Sequence, residues 1–199
     1  NHRQFQSFLQ EIDSEFGDMP YHTEVRWLSR GKVLSRFFQL IEEICQFMDS
    51  KGKDSTVFWD KKWKCELAFL SDITTHLNDL NLQLQGRDHL ITDMHDAVKA
   101  FQMKLCLWER QMHQCNLSHF SCCQAMLNQV NAMVFPNAHF AEKLSLLRAE
   151  FARRFSDFEA QKSNFELFRN PFAIDVETAS VNLQMELIEL QCNGTLKEK

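Results

Sequence analysis

Apolar side chains recur along this chain at alternating steps of three and four, the spacing that lines up one face of an α-helix. The clearest run is Ile91, Met94, Val98, Phe101, Leu105, Trp108 and Met112. Before it, Trp63, Leu67, Leu70, Ile73, Leu77, Leu80 and Leu84 form a second stripe, with Asp60 placed to cap its start and Gly86 to end it. Only Gly86-Arg87-Asp88 joins the two, so the pattern predicts an antiparallel helical hairpin whose stripes face each other or a shared third helix. Leu34, Phe37, Ile41, Ile44 and Met48 predict another helix, capped by Ser29 and ending near Lys51-Gly52-Lys53. Phe140, Leu144, Leu147, Phe151, Phe155 and Phe158 predict one more, starting after the break at Pro136. A weaker helix capped by Ser118 runs through Met126 and Val130, and a last one spans about Asp175 to Leu190 with Leu183, Leu187 and Leu190 on one face. The chain opens on an amphipathic pattern at Phe5, Phe8, Ile12 and Phe16.

Polar breaks divide this series. Ser50 to Ser55 is polar and charged, and Pro171 biases Asn170 away from helix, which sets a domain edge near Pro171. The reading is therefore an all-α multi-helix bundle over residues 1–170, followed by a linker and a return helix over 171–199. Composition agrees, because 5 Gly and 3 Pro leave few places for strands to turn, while 18 Phe supply bulky apolar stripes. The abrupt start at Asn1, with no initiator Met, and the abrupt end at Lys199 are read as cuts in a longer protein.

A formal net charge of -5 removes the globally basic balance that announces nucleic-acid binding, so any DNA contact must be local. The 7 Cys are scattered and no secretory signal precedes them, which favours free thiols in a reducing compartment over a disulfide framework. No apolar run approaches the roughly 18 residues of a membrane-spanning helix.

Candidate chemistry is sparse. His113, Cys115, His119, Cys122 and Cys123 invite a zinc site, but there is no Cys-x-x-Cys pair, and adjacent cysteines on a helix point about 100° apart. No metal is expected. Phosphate-binding glycine loops and the usual hydrolase motifs are missing, and no Cys/His pair is favoured as a nucleophile. Glu186 and Glu189 share a helix face and suit a divalent cation only if further carboxylates join them; alone they read as a solvated face. Arg26-Trp27-Leu28-Ser29-Arg30-Gly31-Lys32 is more distinctive, with three cations around an indole at a helix start. Such a start offers free N–H groups to phosphate and a stacking face to an unpaired base, although a buried Trp with a basic rim fits the residue types as well.

Tyr21 to Leu34, through that Arg26-Trp27 pair, resembles the Arg-Trp motif region of hAT transposases, most closely their domesticated vertebrate BED-finger members. Leu77 to Gly86, Asn170-Pro171-Phe172 and Gln184 to Gln191 resemble further blocks of the same family, so the likeness runs along essentially the whole chain. The resemblance implies a large helical domain inserted into an RNase H-like core that carries an Asp-Asp-Glu metal site. It places Arg26 and Trp27 beside the cut DNA end, where Trp27 stacks on a flipped base, and makes Glu186 the match to the catalytic Glu, with Glu189 as fallback. Both Asp positions would lie upstream of Asn1, so one Glu cannot hold two metal ions here.

These expectations converge on a nuclear, transposase-derived scaffold that is non-catalytic by itself and binds DNA through Arg26, Trp27, Arg30 and Lys32, or binds proteins, in transcription regulation. Homo-oligomers would form through regions outside this chain. No cofactor, membrane or small-molecule substrate is expected. One alternative is a piece of an active DNA transposase with Glu186 as one of three carboxylates; the other is a helical bundle that only contacts proteins.

Overall fold

The computed structural model describes residues 2–12, 27–85, 90–130 and 135–197. Within these the chain is all-α, with no strand. In chain order the helices are α1 (His2–Glu11), α2 (Trp27–Gln39), α3 (Ile41–Ser50), α4 (Thr56–Trp59), α5 (Lys61–Leu84), α6 (Ile91–His113), α7 (Ser121–Gln129), α8 (Asn137–Arg154), α9 (Ser156–Ala160), α10 (Lys162–Arg169), α11 (Gln184–Cys192) and α12 (Gly194–Lys197). Phe16, Arg26 and the Gly86-Arg87-Asp88 connection lie outside the described residues.

The two long stripes become α5 and α6. Asp60 caps α5, its carboxylate accepting the Lys62 N–H at 3.0 Å. The buried core joins Cys65, Ala68, Ile73 and Leu80 of α5 to Phe101, Leu105, Trp108 and Met112 of α6, then to Cys123 and Met126 of α7 and to Phe140, Ala141 and Leu144 of α8. Both stripes fray at one position, since Leu70 and Ile91 are exposed. The main partner of α6 is α8, whereas α5 packs chiefly on α2 and α7. Asn137 against His113, Arg148 against Glu109 and Phe151 against Phe101 run in opposite directions, so α6 and α8 are antiparallel.

The helix expected from Leu34 to Met48 is two helices. Leu40 leaves helical geometry (φ -96°, ψ 12°), turning α2 toward α5 and α3 toward α1. Leu40 itself is fully buried in a small second core with Phe5 and Leu9, against which Phe8, Ile44 and Phe47 pack. Ser29 falls within the first turn of α2 rather than ahead of it. The expected stop at Lys51-Gly52-Lys53 is a Schellman turn: Lys53 N–H reaches Met48 O at 2.9 Å, Gly52 N–H reaches Asp49 O at 3.0 Å, and Gly52 takes φ +62°. Cys115 (φ 53°) closes α6 in the same way, with Asn116 N–H on Gln111 O at 2.9 Å.

The expected helix from Phe140 to Phe158 likewise breaks at Phe155, and a second break follows beyond its end at Gln161. These breaks bring Phe158 and Phe165 onto the buried His95 of α6, with ring centroids 6.1 and 5.2 Å away. Arg169 then bonds the Asp96 carboxylate at 2.5 Å. Burial acts against ionisation of Asp96, but the hydrogen bonds from Arg169 and His95 outweigh it and hold the carboxyl below the usual carboxylate range. The last predicted helix starts later than expected, because 3-10 turns at Val176–Thr178 and Val181–Leu183 precede α11. On it Leu187 is buried, Leu190 is half-buried, and Leu183 is exposed.

Candidate nucleic-acid interface

The candidate Arg-Trp segment rides on the contact between α2 and α5. Gly31 against Asn78, Ser35 against Thr75 and Phe37 against Trp63 show that the two helices run antiparallel. Gly31 is buried at the closest approach: a Cβ built there would sit 2.1 Å from Asn78 Nδ2 and 3.2 Å from its Cγ. A methyl added there would have to turn the end of the Asn78 side chain aside, while the Thr74 carbonyl at 3.4 Å stays in ordinary van der Waals contact. Gly31→Ala is expected to leave stability within about 1 kcal/mol of the wild type, because the gain in helix propensity of about 1 kcal/mol offsets the cost of turning the Asn78 amide aside. A loss above about 2 kcal/mol, measured by urea denaturation, would mean that the two backbones rather than the Asn78 side chain limit the contact.

Trp27 and Arg30 fall on the first turn of α2, and Lys32 follows on the next turn with its side chain exposed. Arg26 is outside the described residues, so of the four predicted contacts Lys32 alone has a described side chain. On α5, Thr74 and Thr75 turn their hydroxyls back to Leu70 O and Ser71 O, at 2.7 and 2.9 Å. The Thr74 hydroxyl is thus taken up within the helix, and that of Thr75 is shared with Ser35 of α2.

Glu186 lies in the first turn of α11, exposed, and Glu189 is exposed as well. The segment is fastened by Gln191, whose side-chain amide donates to Pro171 O and to Ile174 O, each at 2.8 Å. Among the described residues, no three His, Cys, Asp or Glu side chains are grouped as a cation site.

The His/Cys cluster has a different role. Asp72 of α5, buried and 49 to 51 residues away in sequence, places its carboxylate at the start of α7. Cys122 N–H donates to it at 3.0 Å, Cys123 N–H at 2.9 Å, and the Ser121 hydroxyl lies at 3.4 Å. The carboxylate thus caps α7 from another helix. Ser118, the expected cap, is occupied by the Asn116 side chain, which accepts its hydroxyl at 2.5 Å and its N–H at 3.2 Å. Burial, reinforced by the Asp72 charge, pushes the Cys122 thiol up to about 12 and raises Cys123 as well. Both thiols are therefore poor nucleophiles and poor metal ligands at neutral pH. All seven cysteines are unpaired. His119 presents its carbonyl to the His76 ring at 2.8 Å, and His76 stacks on Trp108 with centroids 4.2 Å apart. Asp72 had no local signal in the sequence, since a capping carboxylate is legible only when it precedes its helix.

Residues 1–113 match the family described as the FAM200/GTF2IRD2 helical domain. General transcription factor II-I repeat domain-containing protein 2 of Bos taurus is 43% identical over all 199 residues, which cover 20% of that protein. Its counterpart in Mus musculus is also 43% identical over the whole chain, covering 21% of its length. The chain thus spans about a fifth of the curated relatives it matches. No solved structure matches it.

Proposed function

Because this chain belongs to the FAM200/GTF2IRD2-like family, we propose that it is the helical part of a nuclear scaffold descended from a hAT transposase, binding DNA or protein without catalysing a reaction. The observation that carries this reading is the 43% identity along the entire chain to relatives named after a general transcription factor repeat. On it, residues 1–170 are the helical insertion, and residues 171–199 are a linker and a helix returning toward an RNase H-like core. The proposed DNA contacts are Arg26, Trp27, Arg30 and Lys32, of which Lys32 is exposed beside the tight α2–α5 contact at Gly31. Glu186 is then a remnant of a catalytic carboxylate, because two-metal phosphoryl transfer needs several acidic groups around its ions.

The test is binding of a hairpin oligonucleotide at low salt. Trp27→Ala is expected to weaken binding about tenfold, as loss of one stacked base would. Arg30→Ala and Lys32→Ala should each flatten the dependence of log K on log salt by about 0.9. Binding by Trp27→Ala equal to the wild type would remove Trp27 from the interface.

A protein-contact role has its own support in the C-terminal segment. Val181 is 78% exposed and Met185 68%, and with Ile188 they follow a helical spacing that leaves apolar surface in water.

A further inference from the structure

We propose that a second surface, the corner built from the end of α3, α4 and the start of α5, binds single-stranded nucleic acid, with Trp59 stacking on an unpaired base and Lys51, Lys53, Lys61, Lys62 and Lys64 neutralising phosphates. The inference shares a ligand class with the proposed function but uses neither Arg26 nor Trp27.

Charge reverses locally here. The whole chain carries 22 Lys and Arg against 27 Asp and Glu, whereas residues 49–64 hold those five lysines against Asp49, Asp54 and Asp60. Each of the three carboxylates is engaged in local structure. Asp49 accepts the Ser55 hydroxyl at 2.5 Å, Asp54 accepts Thr56 N–H and its hydroxyl at 2.9 and 2.7 Å, and Asp60 caps α5. Among the described residues, none of the five lysines is in a salt bridge. Four of them are exposed, Lys51 with its Nζ 5.6 Å from the Phe47 ring centroid, and Lys64 is half-buried against Trp59, so Lys53, Lys61 and Lys62 are the ammonium groups most open to phosphate.

Trp59 makes the corner more than a charged surface. Phe58, its neighbour on α4, turns inward against Trp63 and Phe37, with centroids 5.2 and 5.8 Å apart. Trp59 turns outward and is 52% exposed, although an indole of this size gains stability by burial. Its orientation is fixed: the indole N–H donates to Ser55 Oγ at 3.3 Å, and buried Ser55 is itself held by Asp49. Lys64 Nζ lies 4.9 Å from the ring centroid. With Lys64 against one face, the held indole would stack a base on its other face at little entropic cost, and such stacking requires a base freed from its duplex. The corner is also distinct from the Arg-Trp segment. Trp63 and Asn78 mark the two ends of the α2–α5 contact, about 22 Å apart at the rise of an α-helix.

The experiment is fluorescence anisotropy of a labelled oligothymidylate of about fifteen nucleotides, titrated with the 199-residue chain at several salt concentrations. Trp59→Ala should weaken binding about tenfold, and Trp59→Phe should recover part of that loss. Lys61→Glu combined with Lys62→Glu, both at exposed positions, should reduce the log–log salt slope by about 1.4. Circular dichroism of each variant serves as the check that it stays folded. The inference is overturned if Trp59→Ala binds within about twofold of the wild type, if a duplex of equal length binds as tightly, or if polyglutamate displaces the oligonucleotide at equal charge concentration. Trp27→Ala, run in parallel, separates the two surfaces. Loss of binding there with none at Trp59 leaves the Arg-Trp proposal standing and removes this one, and the reverse pattern does the opposite.

Discussion

Asp72→Ala is expected to destabilise the protein by about 3 kcal/mol, out of proportion to a side chain of that size. Two backbone donors, Cys122 N–H and Cys123 N–H, end on its carboxylate at 3.0 and 2.9 Å, and the site is shielded from water. Hydrogen bonds to a charged group contribute about 1.5–3 kcal/mol each, and donors left buried without a partner add their own desolvation cost. Some of that is recovered if water enters the vacated space. Asp72→Asn should not restore wild-type stability, because its amide group sets a donor against one of the two N–H groups. Urea denaturation followed by circular dichroism measures both variants. A loss under about 0.5 kcal/mol for Asp72→Ala would mean that α7 does not depend on this anchor.

Phe140→Ala should cost slightly more, about 3–5 kcal/mol, because it opens a void between α8, α5 and the turn at Phe135. Phe140 is 1% exposed, stacks on Phe69 of α5 with centroids 4.6 Å apart, and meets Phe135 edge-on at 5.6 Å. The matched control is Phe168→Ala, which removes the same ring from a position 66% exposed and should move stability by less than about 0.5 kcal/mol. Equal effects at the two positions would mean that the core around Phe140 is not packed as described.

Both experiments bear on what the sequence reveals and what it hides. The helices and their inward faces are legible because they depend on neighbours three and four residues away: Asp60 caps the helix that it precedes, and Leu105, Trp108 and Met112 are buried as their spacing requires. The break at Leu40 is not legible. No Gly or Pro marks it, and it arises because α2 and α3 find different partners, which is a property of the assembled bundle. Ser118 misled for a related reason, since residue type allows a cap but Asn116 takes the same hydroxyl. The Arg-Trp segment is visible as a motif through its unusual residues, whereas the corner around Trp59 needs coordinates. Only the fold decides that Phe58 turns in and Trp59 turns out.

The cross-helix anchor also bears on how the chain matures as it leaves the ribosome. Asp72 emerges about fifty residues before the amides that it will hold, and a nine-residue segment such as α7 is too short to persist as a free helix in water. The carboxylate therefore waits in water until the stretch around Ser121 is synthesised and docks. Closing the core is then a late, long-range event that strips water from a negative charge, and a nascent chain halted before Cys123 would expose the apolar side of α5 to chaperones.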